Sequence, residues 1–413
     1  MKKKFRLYVG FLLMASGVCA MTACSGGEES IANTTGGGSV SKTDEVLTLA
    51  INTGNVGSRA TDITSDPGKN TENNINRITV GIFDPNSKAV KTIQELTSGD
   101  GSTGSGTFSL STSTGNTVAT ANIVTSALTD KDNILVAVNA PAGYFSGVTT
   151  QSAFVAKDLA IGVALTTTGS SATPTNAETS NNVPMYGLST LSGSGGNFTA
   201  NVPVKHLVAK VTLESLSVDF DQDGSYSQAK FTPTAFFLIN VPDKLFFEDT
   251  PVWEKADATD YNTFHHGFAT DAGSHGNIET YLTTSSIAAQ ELEKSQSFNG
   301  NYFFYTMPNR NAVDAYRTKL VIAGKFKADG TGTGVDVYYP VSLNVIYGTN
   351  GSPAEAESGT AQGKVYPNKN YKCKVIIKTK GSDDPWKSID PEAAKITVTV
   401  QDFEDVSQST TFK

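Results

Sequence analysis

The sequence has 413 residues, with 32 Lys and Arg against 40 Asp and Glu, a net charge of −8, and 38% hydrophobic residues. That length provides for two or three domains with real cores, and the apolar content excludes disorder throughout. Three Cys and four His exclude a disulfide framework and a Cys-rich zinc fold, and a net acidic chain without a basic stripe argues against nucleic acid.

Lys2, Lys3, Lys4 and Arg6 form a basic start, followed by an apolar stretch from Leu7 to about Ala20. This is the pattern of an export signal over residues 1–23, too short and wrongly flanked for a spanning helix. Its end reads two ways. Val18-Cys19-Ala20 suits ordinary signal peptidase, whereas Met21-Thr22-Ala23-Cys24 resembles a bacterial lipobox and points to lipidation of Cys24. Lipid on Cys24 anchors the precursor to a membrane without spanning it. Residues 24–44 are rich in Gly, Ser, Thr and Asn and read as a flexible tether.

A first strand is predicted over Glu45–Ile51, with Leu47, Leu49 and Ile51 on one face. Arg59-Ala60 falls in the polar stretch 52–74 behind it. Further strands are predicted at Arg77–Phe83, Val90–Leu96, Thr107–Ser111, Thr117–Val124 and Ile134–Asn139, and a helix at about Val148–Ile161. Two strands, Phe198–Val204 and Leu207–Val218, follow a polar loop and bracket a domain boundary near 203–206. The second half continues with Thr234–Ile239, Tyr302–Met307, Lys319–Phe326, Val335–Val345, Tyr371–Thr379 and Ile396–Phe403, plus a short helix at Ser286–Ser295. Short β-branched or aromatic runs separated by Gly, Asn and Asp turns predict an all-β fold with minor helices, built as an antiparallel sandwich.

The candidate chemical motifs reduce to structure. Gly99-Asp100-Gly101-Ser102-Thr103-Gly104 matches a dinucleotide fingerprint, but a strand rather than a helix follows it, so it reads as a hairpin loop. Asp219, Asp221 and Asp223 match the first half of a calcium loop. The twelfth position is Lys230 where a bidentate Glu is required, which leaves an acidic turn and a weak cation candidate. His265, His266 and His275 lie in a polar stretch and read as loop residues, and His206 reads as a packing residue beside the domain boundary. Cys373 alternates with Tyr371 and Val375 and reads as a buried apolar residue. No nucleophile elbow or zinc-protease helix is present, and no cofactor is expected, so the chain is not read as an enzyme.

Five stretches together resemble the fimbrillins of Bacteroidales, the subunits of type V pili and related fimbrial lipoproteins. They are the Cys24 lipobox; Leu47–Ile51 with Gly57-Ser58-Arg59-Ala60; Asn76–Asp84; Val183-Pro184-Met185-Tyr186-Gly187 leading to Val204–Val211; and a C-terminal set of Tyr302–Asn309, Asn370–Val375 and Ile396–Phe403. His206 stands where that family often has Arg, and Phe403 where it often has Trp.

The resemblance implies two tandem transthyretin-like antiparallel β-sandwich domains, at 60–204 and 205–394, and an outer-membrane lipoprotein precursor. It implies that an arginine-specific surface protease cuts after Arg59, removes a leader strand (45–59), and leaves Ala60 as the new N-terminus. The vacated groove then takes a strand from another copy or a related subunit, and head-to-tail joining builds a filament. The C-terminal segment 395–413 is the expected donor, with Ile396, Val398, Val400, Phe403, Val406 and Phe412 as its apolar series. Residues 395–403 also read as an internal edge strand, leaving only the last residues to exchange. The expected function is therefore a subunit of a cell-surface fimbria supporting adhesion, through a host or bacterial ligand the sequence does not name. The alternatives are a lipid-anchored anchor or accessory subunit, or a non-polymerising surface lipoprotein that binds glycan or host protein.

Overall fold

Apolar runs become strands nearly everywhere the sequence places them. In a computed structural model the chain is described over residues 45–53, 72–98, 106–113, 116–125, 127–160, 182–220, 224–247, 264–268, 275, 277–284, 287–300, 302–311, 313–347, 353–356, 361–387 and 394–402. The first half carries β1 (Glu45–Asn52), β2 (Arg77–Phe83), β3 (Val90–Ser98), β4 (Thr107–Ser113), β5 (Asn116–Thr125), β6 (Asn133–Val138), α1 (Gln151–Val155), β7 (Asp158–Ala160), β8 (Met185–Thr190), β9 (Ser192–Ser194), β10 (Asn197–Pro203) and β11 (Lys205–His206).

Ten of these strands form one sheet in the order β11-β8-β6-β2-β3-β4-β5-β1-β10-β9. β3 and β4 are joined at only two register positions, Thr97 with Thr107 and Ser98 with Phe108, and in parallel. The sheet folds over at this weak joint, so that β10 packs against β8 and β6. The result is a sandwich with Ile78, Val80, Ile82, Val136 and Val138 from one layer against Leu47, Leu49, Ile51, Phe198 and Val202 from the other. The parallel β3–β4 pairing corrects the hairpin expected around Gly99–Gly104; those residues lie outside the described set, but the strands they join sit in different layers.

The second half carries β12 (Ala209–Val218), β13 (Lys230–Ile239), β14 (Val241–Pro242), β15 (Lys244–Phe246), β16 (Phe264–His266), β17 (Asn277–Ile278), β18 (Tyr302–Thr306), β19 (Lys319–Lys327), β20 (Val335–Ser342), β21 (Val345–Tyr347), β22 (Pro353–Glu355), β23 (Lys369–Ile377) and β24 (Ala394–Asp402). A four-stranded sheet, β18-β12-β23-β24, packs over a three-stranded sheet, β13-β19-β20. Val211, Leu213, Tyr371, Cys373 and Val375 of the first meet Phe236, Leu238, Ile322, Tyr339 and Val341 of the second in one core. The same core continues into the first half through Phe83, Leu135, Phe145 and Phe154, where Phe145 stacks on Phe154 at 4.0 Å and meets Phe247 edge-on at 5.2 Å.

Burial explains the two kinds of strand. β10 alternates exposed and buried, with Phe198, Ala200 and Val202 inward, because one of its faces is solvated. β2 is buried from Ile78 to Phe83, because core lies on both of its faces. Several strand ends are made by Asn in the left-handed region, including Asn139 (φ 59), Asn240 (φ 58) and Asn344 (φ 51). Their side chains brace neighbouring loops: Asn139 donates to the Asn74 and Val183 carbonyls, and Asn240 to those of Ala315 and Arg317.

Three local expectations are corrected. The helix expected over Val148–Ile161 is one short α1, capped by Thr150 Oγ1 accepting from the Ala153 N–H, and its second half is β7, which pairs with β15. Leu159 is buried against that pairing, so tertiary contact overrides the helical spacing. The helix expected over Ser286–Ser295 does not form across its described residues, 287–295: Leu292 bridges Phe231, and Lys294 and Ser295 make a turn. His265 and His266 are strand residues in β16 rather than loop residues, with His266 accepting from the Asn240 N–H and lying edge-on to Trp386 at 4.7 Å.

Candidate assembly interface

β1 is the element on which the expected assembly turns. It lies between β5, antiparallel, and β10, parallel. Leu47 pairs in register with Ile123 and Phe198, Leu49 with Ala121 and Ala200, and Ile51 with Ala119 and Val202. All three inward side chains are fully buried, while Thr48 points to solvent. The middle of the strand thus places its Leu between two alanines, where small neighbours leave room for a large side chain. Taking β1 out would open a slot one strand wide, with unpaired backbone on the facing edges of β5 and β10 and an empty apolar trough beneath.

The C-terminal candidate β24 occupies an edge. It pairs antiparallel with β23, with Ile396 opposite Val375, Val398 opposite Cys373, and Val400 opposite Tyr371. Val398 is buried, and the other edge of β24 is open among the described strands. This arrangement matches the internal-edge-strand alternative for residues 395–403. Phe403, Val406 and Phe412 lie outside the described residues, as do Cys24, Arg59 and Ala60. Of the acidic turn, Asp219 is exposed while Asp221 and Asp223 lie outside the described residues. No group of three or more His, Cys, Asp or Glu able to hold a metal is found among the described residues.

The structure adds a polar cluster that sequence reasoning passed over. Glu72, from the polar stretch before β2, is buried on the four-stranded sheet. Its carboxylate meets Lys210 Nζ at 2.8 Å and accepts from the Tyr305 hydroxyl at 2.6 Å. His206 lies beside it, with Nε2 3.0 Å from the Glu72 carbonyl and Nδ1 3.1 Å from Asn368 Oδ1. Burial is the largest influence on that imidazole and holds its pKa down at about 4; the two acceptors pull it up, and Lys210 pushes it down further. A single Glu in a Gly- and Asn-rich stretch carries no periodic signal that would have flagged it. Of the aromatic runs in this half, Phe236, Phe237, Phe304 and Tyr305 are core residues, whereas Phe303 is half-buried.

The fold and the slotted strand define a class: a β-sandwich protein in which strand β1 lies inside a sheet and completes it. Residues 46–214 match the family model of the major fimbrial subunit protein (FimA). This is a family of structural subunits and not of enzymes. No curated protein matches the chain. Among solved structures, a candidate cell adhesion protein from Bacteroides eggerthii is 19% identical, with a TM-score of 0.56 over 89% of this chain and 98% of its own. A fimbrilin (FimA) from Porphyromonas gingivalis W83 is 15% identical, with a TM-score of 0.55 over 88% of this chain and 99% of its own. A third, from Parabacteroides distasonis, is 12% identical, with a TM-score of 0.57 over 88% of this chain and 98% of its own. At such identities these three share the fold.

Proposed function

We propose that this chain is a structural subunit of a cell-surface fimbria, exported as a lipoprotein on Cys24, cut after Arg59 by an arginine-specific surface protease, and polymerised by strand exchange. The observation that carries the reading is the position of β1. The strand is bonded on both edges and buried through Leu47, Leu49 and Ile51. It precedes Arg59 in the chain, so one cut there severs it from everything that follows. The match to the fimbrial subunit family covers this same strand.

In this reading the partners are further copies of the chain and related subunits, and the precursor is held at the outer membrane. The mature subunit comprises two sandwich domains, 60–204 and 205–394. Because β24 already completes the chain's own sheet, the donor is the tail that follows it, with Phe403, Val406 and Phe412 entering the neighbour's slot. N-terminal sequencing of protein sheared from the cell surface tests the proposal. A start at Ala60 is expected; a lipid-blocked start at Cys24 would make the chain an anchor or a non-polymerising lipoprotein.

A further inference from the structure

The buried cluster on the four-stranded sheet holds more than an ion pair. β12 and β23 run parallel, and their register pairs the backbone positions of Lys210 and Asn370 on adjacent strands. Thr212, two residues along the same face of β12, donates its hydroxyl to Asn370 Oδ1 at 3.0 Å. Glu72 lies against Lys210 Nζ at 2.8 Å, and the Phe303 ring faces that nitrogen with its centroid 5.2 Å away. Lys210, Asn370 and Glu72 are respectively 1%, 3% and 4% exposed. Water is therefore excluded from an amine, a carboxylate able to take its proton, and a side-chain amide whose carbonyl already accepts a hydrogen bond.

From this we infer that Lys210 and Asn370 form an internal isopeptide bond after folding. Glu72, in contact with Nζ at 2.8 Å, takes a proton from the Lys210 ammonium, which frees the lone pair of Nζ. Nζ attacks Cγ of Asn370, and charge gathers on Oδ1, where the Thr212 hydroxyl stabilises it. A second proton passes from Nζ to Nδ2, the Cγ–Nδ2 bond breaks, and ammonia leaves. Of the three ammonium protons one stays on the new amide, one departs on ammonia and one remains on Glu72. Nothing is oxidised or reduced, and no co-reactant is needed. Tyr305, bonded to the same carboxylate at 2.6 Å, is a positioning residue that holds Glu72 toward Lys210. The link would tie together the two central strands of the sheet that carries β24. The inference stands apart from the assembly reading, since it uses none of the residues of the leader strand or the tail.

Mass spectrometry of the denatured full chain decides it. Once the N-terminus of the sample is known, the wild-type mass should fall short of the sequence by one ammonia. Digestion should yield a branched peptide joining Lys210 to Asn370. Lys210→Arg and Asn370→Ala should restore the full mass, and Glu72→Gln should leave most chains unlinked. A wild-type mass equal to the sequence overturns the inference, whether or not the variants fold. A deficit that persists in Lys210→Arg also overturns it, because that would place the lost ammonia in a succinimide.

Discussion

Cys373 projects from β23 into the shared core with no exposed surface, and burial pushes its thiol pKa up to about 12. The thiolate is the reactive form, so a thiol that is both inaccessible and protonated is inert. Maleimide should leave Cys373 unlabelled in the folded protein at pH 8 and label it fully in urea. His206 has the opposite sensitivity, being buried and held neutral. Its folded pKa of about 4 lies below the ordinary 6.5, so the unfolded chain binds the extra proton first. His206 therefore contributes stability that is fully present above about pH 6.5 and is lost as pH falls towards 4. The loss is on the order of 3 kcal/mol for a shift of this size. Urea midpoints at pH 5 and pH 7 should differ by more in the wild type than in His206→Gln.

At the scale of elements, β1 concentrates what the first sandwich needs from a strand. Leu49 is fully buried and paired with Ala121 and Ala200, so trimming it removes both contact and filled volume. Leu49→Ala in the uncut chain should cost about 2–5 kcal/mol. Thr48→Ala, one residue away on the solvated face, should change stability by no more than about 0.5 kcal/mol. Urea unfolding of the two variants side by side measures the difference; equal effects would mean that β1 does not hold the slot. The joint between β3 and β4 makes the converse point. Two paired positions are too few to keep a sheet flat, and the sheet bends there to form the sandwich.

Across the whole molecule, the assembly reading gives different work to two adjacent stretches of the chain, β24 and the residues that follow it. β24 is part of the folded body, whereas the segment beyond it is assigned to the neighbouring subunit. Removing residues 404–413 should therefore leave a monomer with an unchanged melting temperature that no longer forms polymer after protease treatment. Size-exclusion chromatography before and after the cut reads this directly. Polymer of normal length from the truncated chain would move the donor assignment away from the tail.

The sequence by itself determined most strands, because period-two apolar spacing reports a solvated face and an unbroken apolar run reports burial on both. β2, β10, β12 and β19 are all of these kinds, and the inward set Leu47, Leu49 and Ile51 followed from alternation alone. Local spacing misjudged 148–161 and 286–295, where pairing with β15 and bridging to Phe231 override helical pattern. It also passed over β8, whose apolar residues at its start do not alternate cleanly. Tertiary structure alone decided that β1 lies inside a sheet rather than at its edge, that β24 pairs with β23, and that Glu72 reaches Lys210 across 138 residues of chain. The physical reason is the same in each case: strand partners and buried polar partners are chosen by contacts between segments far apart in the chain, and such contacts leave no periodic trace in either segment.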